Sequence, residues 1–493
     1  MSELILKNIR SLVDDTYMGY RLPGGRVVPV HIYSGSSRVI CGYVSDVTNI
    51  QKLSYVYDAK GQTAIGRDTS SILNWLKESN RINDDVSESG LHTFRLFLQQ
   101  ILNADKAVFS GTDTNMVSYT SGSDLFISGK SMYEDAGEFI GTLIAISCPE
   151  LTDFIKKILQ DHKDSISLLF SPVLSDTSLE ERRNYLMKGD LPLCFESEGL
   201  ESFPNAKIFL SSLRESGLCL LEHLKLQENK LNVLRQFNLF SMFHLFRFMA
   251  NVEHIYCGSS EKLFLLDFSE GGTTGQARMS SLSFMQIHRS LSRFYKWAYS
   301  QILKKEGWDK ESLLNEGTPQ IEKGRTNKNN EELDIIWSLA KDKCSSMEEN
   351  DVINEVASTI FNMLERDGKV SPTTYMKLFG IHSGILVQGT RSLPSRFKPK
   401  VDMLEVIIRS CVMPGETLRG SKLKENLYRR MSVVIGGDEL DVERLNAADC
   451  PITSDDDSLI INYEKFAEKL RSMNFAETMA DGILQINLGG DKL

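Results

Sequence analysis

The chain has 493 residues, and its 66 Asp and Glu outnumber 56 Lys and Arg for a formal net charge of −10. Nucleic-acid affinity comes mainly from Lys and Arg displacing counterions, so this balance excludes a protein coated in phosphate-binding charge while leaving room for a local basic site. With 41% hydrophobic and 25% charged residues, disordered and fibrous classes are excluded too, and the length fits two to four domains of roughly 150 residues each.

Met1-Ser2-Glu3-Leu4-Ile5-Leu6-Lys7 lacks the apolar run of a secretory signal, and Asp14 and Asp15 follow closely. The eight cysteines are scattered without a CxxC pair, which fits reduced core residues of a cytoplasmic protein. Residues 1–70 read as a small β-rich region. A β-meander is expected over 27–58: Val27–Tyr33, a turn at Ser34-Gly35-Ser36-Ser37, Arg38–Val44, and later Leu53–Tyr57. Gly61-Gln62-Thr63-Ala64-Ile65-Gly66-Arg67-Asp68-Thr69 sits where a phosphate loop would lie. Arg67 replaces its lysine, however, and Asp68 would repel phosphate, so an ordinary turn is expected.

A helical main domain is expected over 71–316. Ser70 or Ser71 can cap a first helix and Ser87 or Ser89 a second over 91–102, with others near 132–147, 151–160 and 178–188. Leu231–Tyr256 is the most apolar stretch, but Arg235, His244, Arg247 and Glu253 interrupt it, and charges at membrane depth are costly. It reads as a buried helix rather than a membrane span. Its aromatic residues Phe237, Phe240, Phe243, Phe246 and Phe248 should be the spine of the largest core. Leu263–Asp267 has strand length. A loop over 269–276 and a long helix from Ser283 to Lys304 follow, the helix with an apolar stripe from Phe284 to Ile302. Residues 317–332 contain almost nothing to bury and read as a linker, which places a C-terminal domain at 333–493.

That domain carries the strongest charge pattern. Between Leu386 and Val434 ten basic residues face four acids, a local +6, and from Gly437 to Leu459 eight acids face Arg444 alone, a local −7. Helices at 401–412, 421–431, 439–447 and 464–473 and a strand at 483–486 form a winged-helix-like pattern. Leu423, Leu427 and Met431 would face the core, leaving Lys422, Lys424, Arg429 and Arg430 to project outward. With Arg396, Lys398, Lys400 and Arg419 they make eight candidate DNA contacts. A solvated helix face, or pairing with the acidic block, accounts for the same charges.

No catalytic, cofactor or metal constellation is complete. The histidines show no HExxH, His244 and His254 read as hydrogen-bonded core or interface residues, and the acid of Asp267 and the glycines of 271–275 fit a strand leading into a surface loop. Glu228 and Lys230 have nuclease-like spacing without a preceding Asp strand.

The fold expected is thus mainly α, α+β and multidomain, with the small N-terminal β-meander and a winged-helix-like end. The combination of that β region, the aromatic middle leading to Leu263-Phe264-Leu265-Leu266-Asp267-Phe268-Ser269, and the C-terminal pattern resembles the non-catalytic accessory subunits of bacterial anti-phage and DNA phosphorothioation-dependent restriction systems. The resemblance is organisational and carries over no residue. It implies a scaffold acting beside a partner ATPase or nuclease; the local +6 segment adds an expected contact with double-stranded DNA through the C-terminal domain, and no cofactor is expected. The alternatives are a protein-interaction subunit without DNA binding and a nucleotide-dependent enzyme with a degenerate phosphate loop.

Overall fold

The computed structural model describes residues 4–20, 22, 29–41, 69–80, 82–93, 96, 135–160, 204–270, 274–321, 330–367, 371–391, 393–450, 452, 457–480 and 482–489. These residues are mostly helical with small sheets, and no helix among them is long and apolar enough to cross a membrane.

The N-terminal region departs from expectation. Leu6–Val13 forms α1, which runs into a π-helical turn at Asp14–Met18, and Pro29–Cys41 is a single helix, α2. The meander's first two strands and the turn between them are therefore replaced by one helix, while 42–58 and the loop at 61–68 lie outside the described residues. The small residues read as a turn form a contact face instead. Ser34, Gly35, Ser36 and Ser37 are all buried, and a Cβ on Gly141 of α4 (Asp135–Ser147) would lie 2.7 Å from the Ser36 Cα. Close helix packing has overridden the β-branched residues' strand preference.

The next helices follow the sequence more closely. Thr69–Glu78 is α3, and residues 88–93 begin a helix whose Gly90 amide donates to Ser87 Oγ at 3.2 Å, so Ser87 is the cap. The remainder of 94–102, apart from residue 96, and all of 178–188 lie outside the described residues. Pro149–Gln160 is α5 and Pro204–Lys225 is α6.

The aromatic stretch is α7, Lys230–Cys257, capped by Asn229 and ended by Gly258 at φ +69°, a conformation glycine adopts without strain. It is buried around almost its whole circumference. Its rings meet β1 (Phe264–Leu265) edge-on: Phe243 and Phe246 lie 5.8 and 5.7 Å from Phe264. Each such pair is worth about 0.5–1.5 kcal/mol beyond area burial. The following helix, α8, spans Gly275–Lys305, and its predicted stripe is buried. It starts earlier than the sequence suggested because Thr274 accepts the Ala277 amide as its cap.

Lys310–Asn315 is α9, Asn330–Cys344 is α10, Glu349–Asp367 is α11 and Pro372–His382 is α12. The stretch entering 317–332 is tied to the N-terminus: Ile5 bridges Gln320 in parallel, and the Leu4 amide donates to Glu316 at 3.1 Å. One hydrophobic cluster contains core residues from before and after this stretch.

The C-terminal elements are β2 (Leu386–Val387), β3 (Arg396–Phe397), α13 (Val401–Arg409), β4 (Thr417–Arg419), α14 (Gly420–Met431), β5 (Val433–Val434), α15 (Glu439–Ala447), α16 (Ser458–Ser472), β6 (Ala476–Thr478) and β7 (Leu484–Asn487). β2 and β3 form a hairpin. β4, β7 and β6 form an antiparallel sheet in that order, with Leu418 opposite Ile486 and Glu477 opposite Gln485. β5 instead pairs in parallel with β1, Phe264 opposite Val433 and Leu265 opposite Val434. This joint attaches the C-terminal segment to the aromatic core.

Candidate nucleic-acid interface

The eight candidate cations divide between interior and surface. Arg396 is buried, its Nε donating to Asp267 Oδ2 at 2.7 Å, and the other Asp267 oxygen accepts the Ser269 amide and hydroxyl at 2.9 and 2.5 Å. Asp267 therefore fastens β3 to the exit of β1. Lys424 is also buried. Its amine donates to Gly436 O at 3.0 Å, to Asp441 Oδ2 at 3.1 Å and to Asp438.

Burial raises the Asp441 carboxyl, an effect that Lys424 opposes; at Asp438 burial also raises, but the hydrogen bonds from Lys424 and the Asp441 amide, with the charges of Lys424 and Arg444, together outweigh it and the carboxyl is lowered. Arg429 and Arg430 reach Glu215 of α6 at 2.7 and 3.3 Å.

The expectation that α14 projects all four cations outward is thus corrected. Lys422 is exposed, whereas Lys424 points inward, because the acidic block adjacent in sequence folds back over it. Arg444 joins the same network through Glu425 and Asp441. Adjacent blocks of opposite sign pair at contact distance, where Coulomb attraction is largest. Of the remaining candidates, Lys400 and Arg419 are exposed, and half-buried Lys398 donates to Ser269 O at 2.6 Å.

Lys398 and Lys400 lie on one wall of a groove of about 660 Å³, and the opposite wall is α16, with Lys465 and Lys469. These two lysines, one helical turn apart, flank Phe466 and Leu470, which face the core. Asn462 fixes the wall: its Nδ2 donates to Leu266 O and Ile435 O, both at 2.7 Å, and its Oδ1 accepts the Phe268 amide at 2.9 Å. The groove's apolar surface includes Phe268, Val401 and Leu404, and Phe268 packs 5.0 Å from Phe466.

Glu270 and Glu468 are the groove's unburied acids, Glu468 accepting from Lys465 at 2.8 Å. That bond raises the Lys465 amine and lowers the Glu468 carboxyl. The α13 N-terminus opens here without a side-chain cap, since Lys400 supplies none and Asp402 pairs with Arg235. Sequence reasoning placed a helix at 464–473 but did not weigh Lys465 and Lys469. Their four-residue spacing beside two core positions is the signal that would have found them.

The other motifs have structural settings where they are described. His244 is buried 3.2 Å from Ser216 Oγ, and burial pushes its pKa well down. The His254 ring Nδ1 donates to Ser259 O. His223 donates to Val412 O at 2.6 Å, and burial lowers its pKa to about 4. Glu228 lies just before α7 and Lys230 begins it. Among the described residues no group of three or more His, Cys, Asp or Glu could hold a metal, and the described cysteines are free, with Cys257 exposed. Gly271, Gly272 and Thr273 lie outside the described residues. No protein-family model, curated protein or solved structure matches the chain.

Proposed function

We propose that this protein is a non-enzymatic subunit of a bacterial DNA-targeting defence complex, scaffolding a partner ATPase or nuclease and touching duplex DNA through a winged-helix-like module from Leu386 onward. The scaffold role and the defence setting rest on the organisational resemblance. The observation that carries the DNA contact is the chain path: helix α13, edge strand β4, helix α14, then β5 and α15 as an insertion, helix α16 and the β6–β7 hairpin, in sheet order β4-β7-β6.

In a winged helix the helix before the hairpin stands where nucleic acid is read. Here that helix is α16. Its outer stripe carries Ile460, Ile461, Glu464 and Glu468, so phosphate contact falls to its flank, where Lys465 and Lys469 oppose Lys398 and Lys400, and to exposed Arg419 and Lys422. Titrating the full chain with duplex DNA from 50 to 200 mM salt tests this. Six or more phosphate contacts weaken binding by about 10³-fold or more over that range. Absence of salt-sensitive binding at 50 mM would sink the DNA contact.

A second reading, a docking subunit without DNA binding, is favoured by the apolar exposure of the same region: Ile460 is 52% and Ile461 43% exposed, as are Met479 and Ile483 of the hairpin at 45% and 37%. Stoichiometric co-purification with a partner, lost in Ile460→Glu/Ile461→Glu and without DNA affinity, is its expected signature.

A further inference from the structure

We infer that the groove between α13 and α16 binds a phosphate-bearing ligand with an apolar or aromatic body, the chemistry of a nucleotide. Four lysines line it: Lys398, Lys400, Lys465 and Lys469. Against them stand Glu270 and Glu468, and the charge of Asp267 is taken up by buried Arg396 at 2.7 Å. Among the described residues the groove therefore holds two more positive than negative charges, inside a chain that is acidic overall.

The lysines differ in how far they are already engaged. Lys465 is bonded to Glu468 and Lys398 to Ser269 O, which leaves exposed Lys400 on one wall and half-buried Lys469 on the other as the principal phosphate partners. Between them lies the apolar surface of Phe268, Val401 and Leu404. Phe268 is half-buried and lines the groove, and an aromatic side chain takes a base by stacking. A volume of about 660 Å³ is within the range of sites for small organic ligands. Asn462 and Phe466 brace the floor from below, so the site is formed before a ligand arrives.

The same chemistry comes from two sources: a free nucleotide, or a terminal or unpaired nucleotide of a nucleic-acid strand. Neither requires that the module bind intact duplex, so this inference does not rest on the proposed function.

Calorimetric titration of the full chain at low salt with inorganic phosphate, adenosine 5′-monophosphate, and a single-stranded oligonucleotide with and without a 5′-phosphate distinguishes the sources. Binding of the mononucleotide at least tenfold tighter than inorganic phosphate assigns a free nucleotide. Binding of the oligonucleotide alone, strengthened by its 5′-phosphate, assigns a strand end; without that gain it assigns an unpaired base. Lys400→Glu and Lys469→Glu should each weaken the interaction at least tenfold, with unchanged circular dichroism, while Lys304→Glu on α8, exposed and outside the groove lining, leaves it intact. Binding of none of these probes, equal affinity for phosphate and mononucleotide without strand binding, or wild-type affinity in both groove variants would overturn the assignment. A covalently closed circular duplex, titrated in parallel, reports on the duplex-binding reading separately.

Discussion

The helical body and the C-terminal segment are held together by different physics. In the body, α7 and α8 meet through rings: Tyr17, Tyr256, Phe294 and Trp297 pack within 5.3–6.4 Å of one another. In the C-terminal segment, buried cations hold neighbouring elements in register, Arg396 on Asp267 and Lys424 on Asp438 and Asp441. Arg247 stands at the boundary. Though it belongs to the aromatic helix, its guanidinium donates to Ser212, Ser432, Arg430 O and Glu261. Ring packing adds apolar burial to the core, whereas directional ion pairs set which face meets which.

Truncation in the body should be the most costly. Phe246 is fully buried against Phe264 and Phe397, and Phe246→Ala should lower stability by about 3–5 kcal/mol in urea unfolding. A loss below 1 kcal/mol would mean that the rings are not the body's main support. Lys424→Met leaves Asp441 buried beside Arg444 alone and should cost about 3 kcal/mol. Adding Asp441→Asn should recover part of that, and strict additivity in the double-mutant cycle would show that the pair is not coupled.

Asp14 within the body and His223 at its joint with the C-terminal segment should respond to pH with opposite sign. Burial raises the Asp14 carboxyl from 3.8 to about 6, against Arg10 and the hydrogen bonds from Leu22 and Tyr295. Its contribution is therefore fully present below 3.8 and lost as pH rises through 6, about 3 kcal/mol in all. His223, which joins α6 to Val412 beyond α13, is lowered from 6.5 to about 4, so its contribution is present above 6.5 and lost as pH falls through 4. Urea midpoints at pH 4, 5, 6 and 7 should separate them: Asp14→Asn removes the loss on raising pH, and His223→Gln removes the loss on lowering it. Unchanged pH profiles in both variants would contradict this. The smallest effect is expected at the surface, where Arg429→Ala breaks an exposed pair with Glu215 and should stay within about 1 kcal/mol.

The sequence made the body legible where periodicity was long. α7, α8 and the C-terminal helices lie close to their expected places because many apolar residues repeat at helical spacing. α2 was misread because its small residues serve a neighbour more than 100 positions away, and local propensity contains no trace of Gly141. The candidate site was half legible for the same reason. Charge counting found the basic block, but which cations turn inward depends on Asp267, Asp438, Asp441 and Glu215. Lys465 and Lys469 went unweighed because they lie outside that block.

The pairing of β1 with β5 also constrains how the chain is made. Phe264 leaves the ribosome roughly 170 residues before its partner Val433, a wait of about 10–30 s at common synthesis rates. Until then the edge of β1 is unpaired, beside rings that will later be covered by Phe397. A nascent chain cut short before β5 would keep that edge open as a template for aggregation, so completion of the core records that translation has passed Val434.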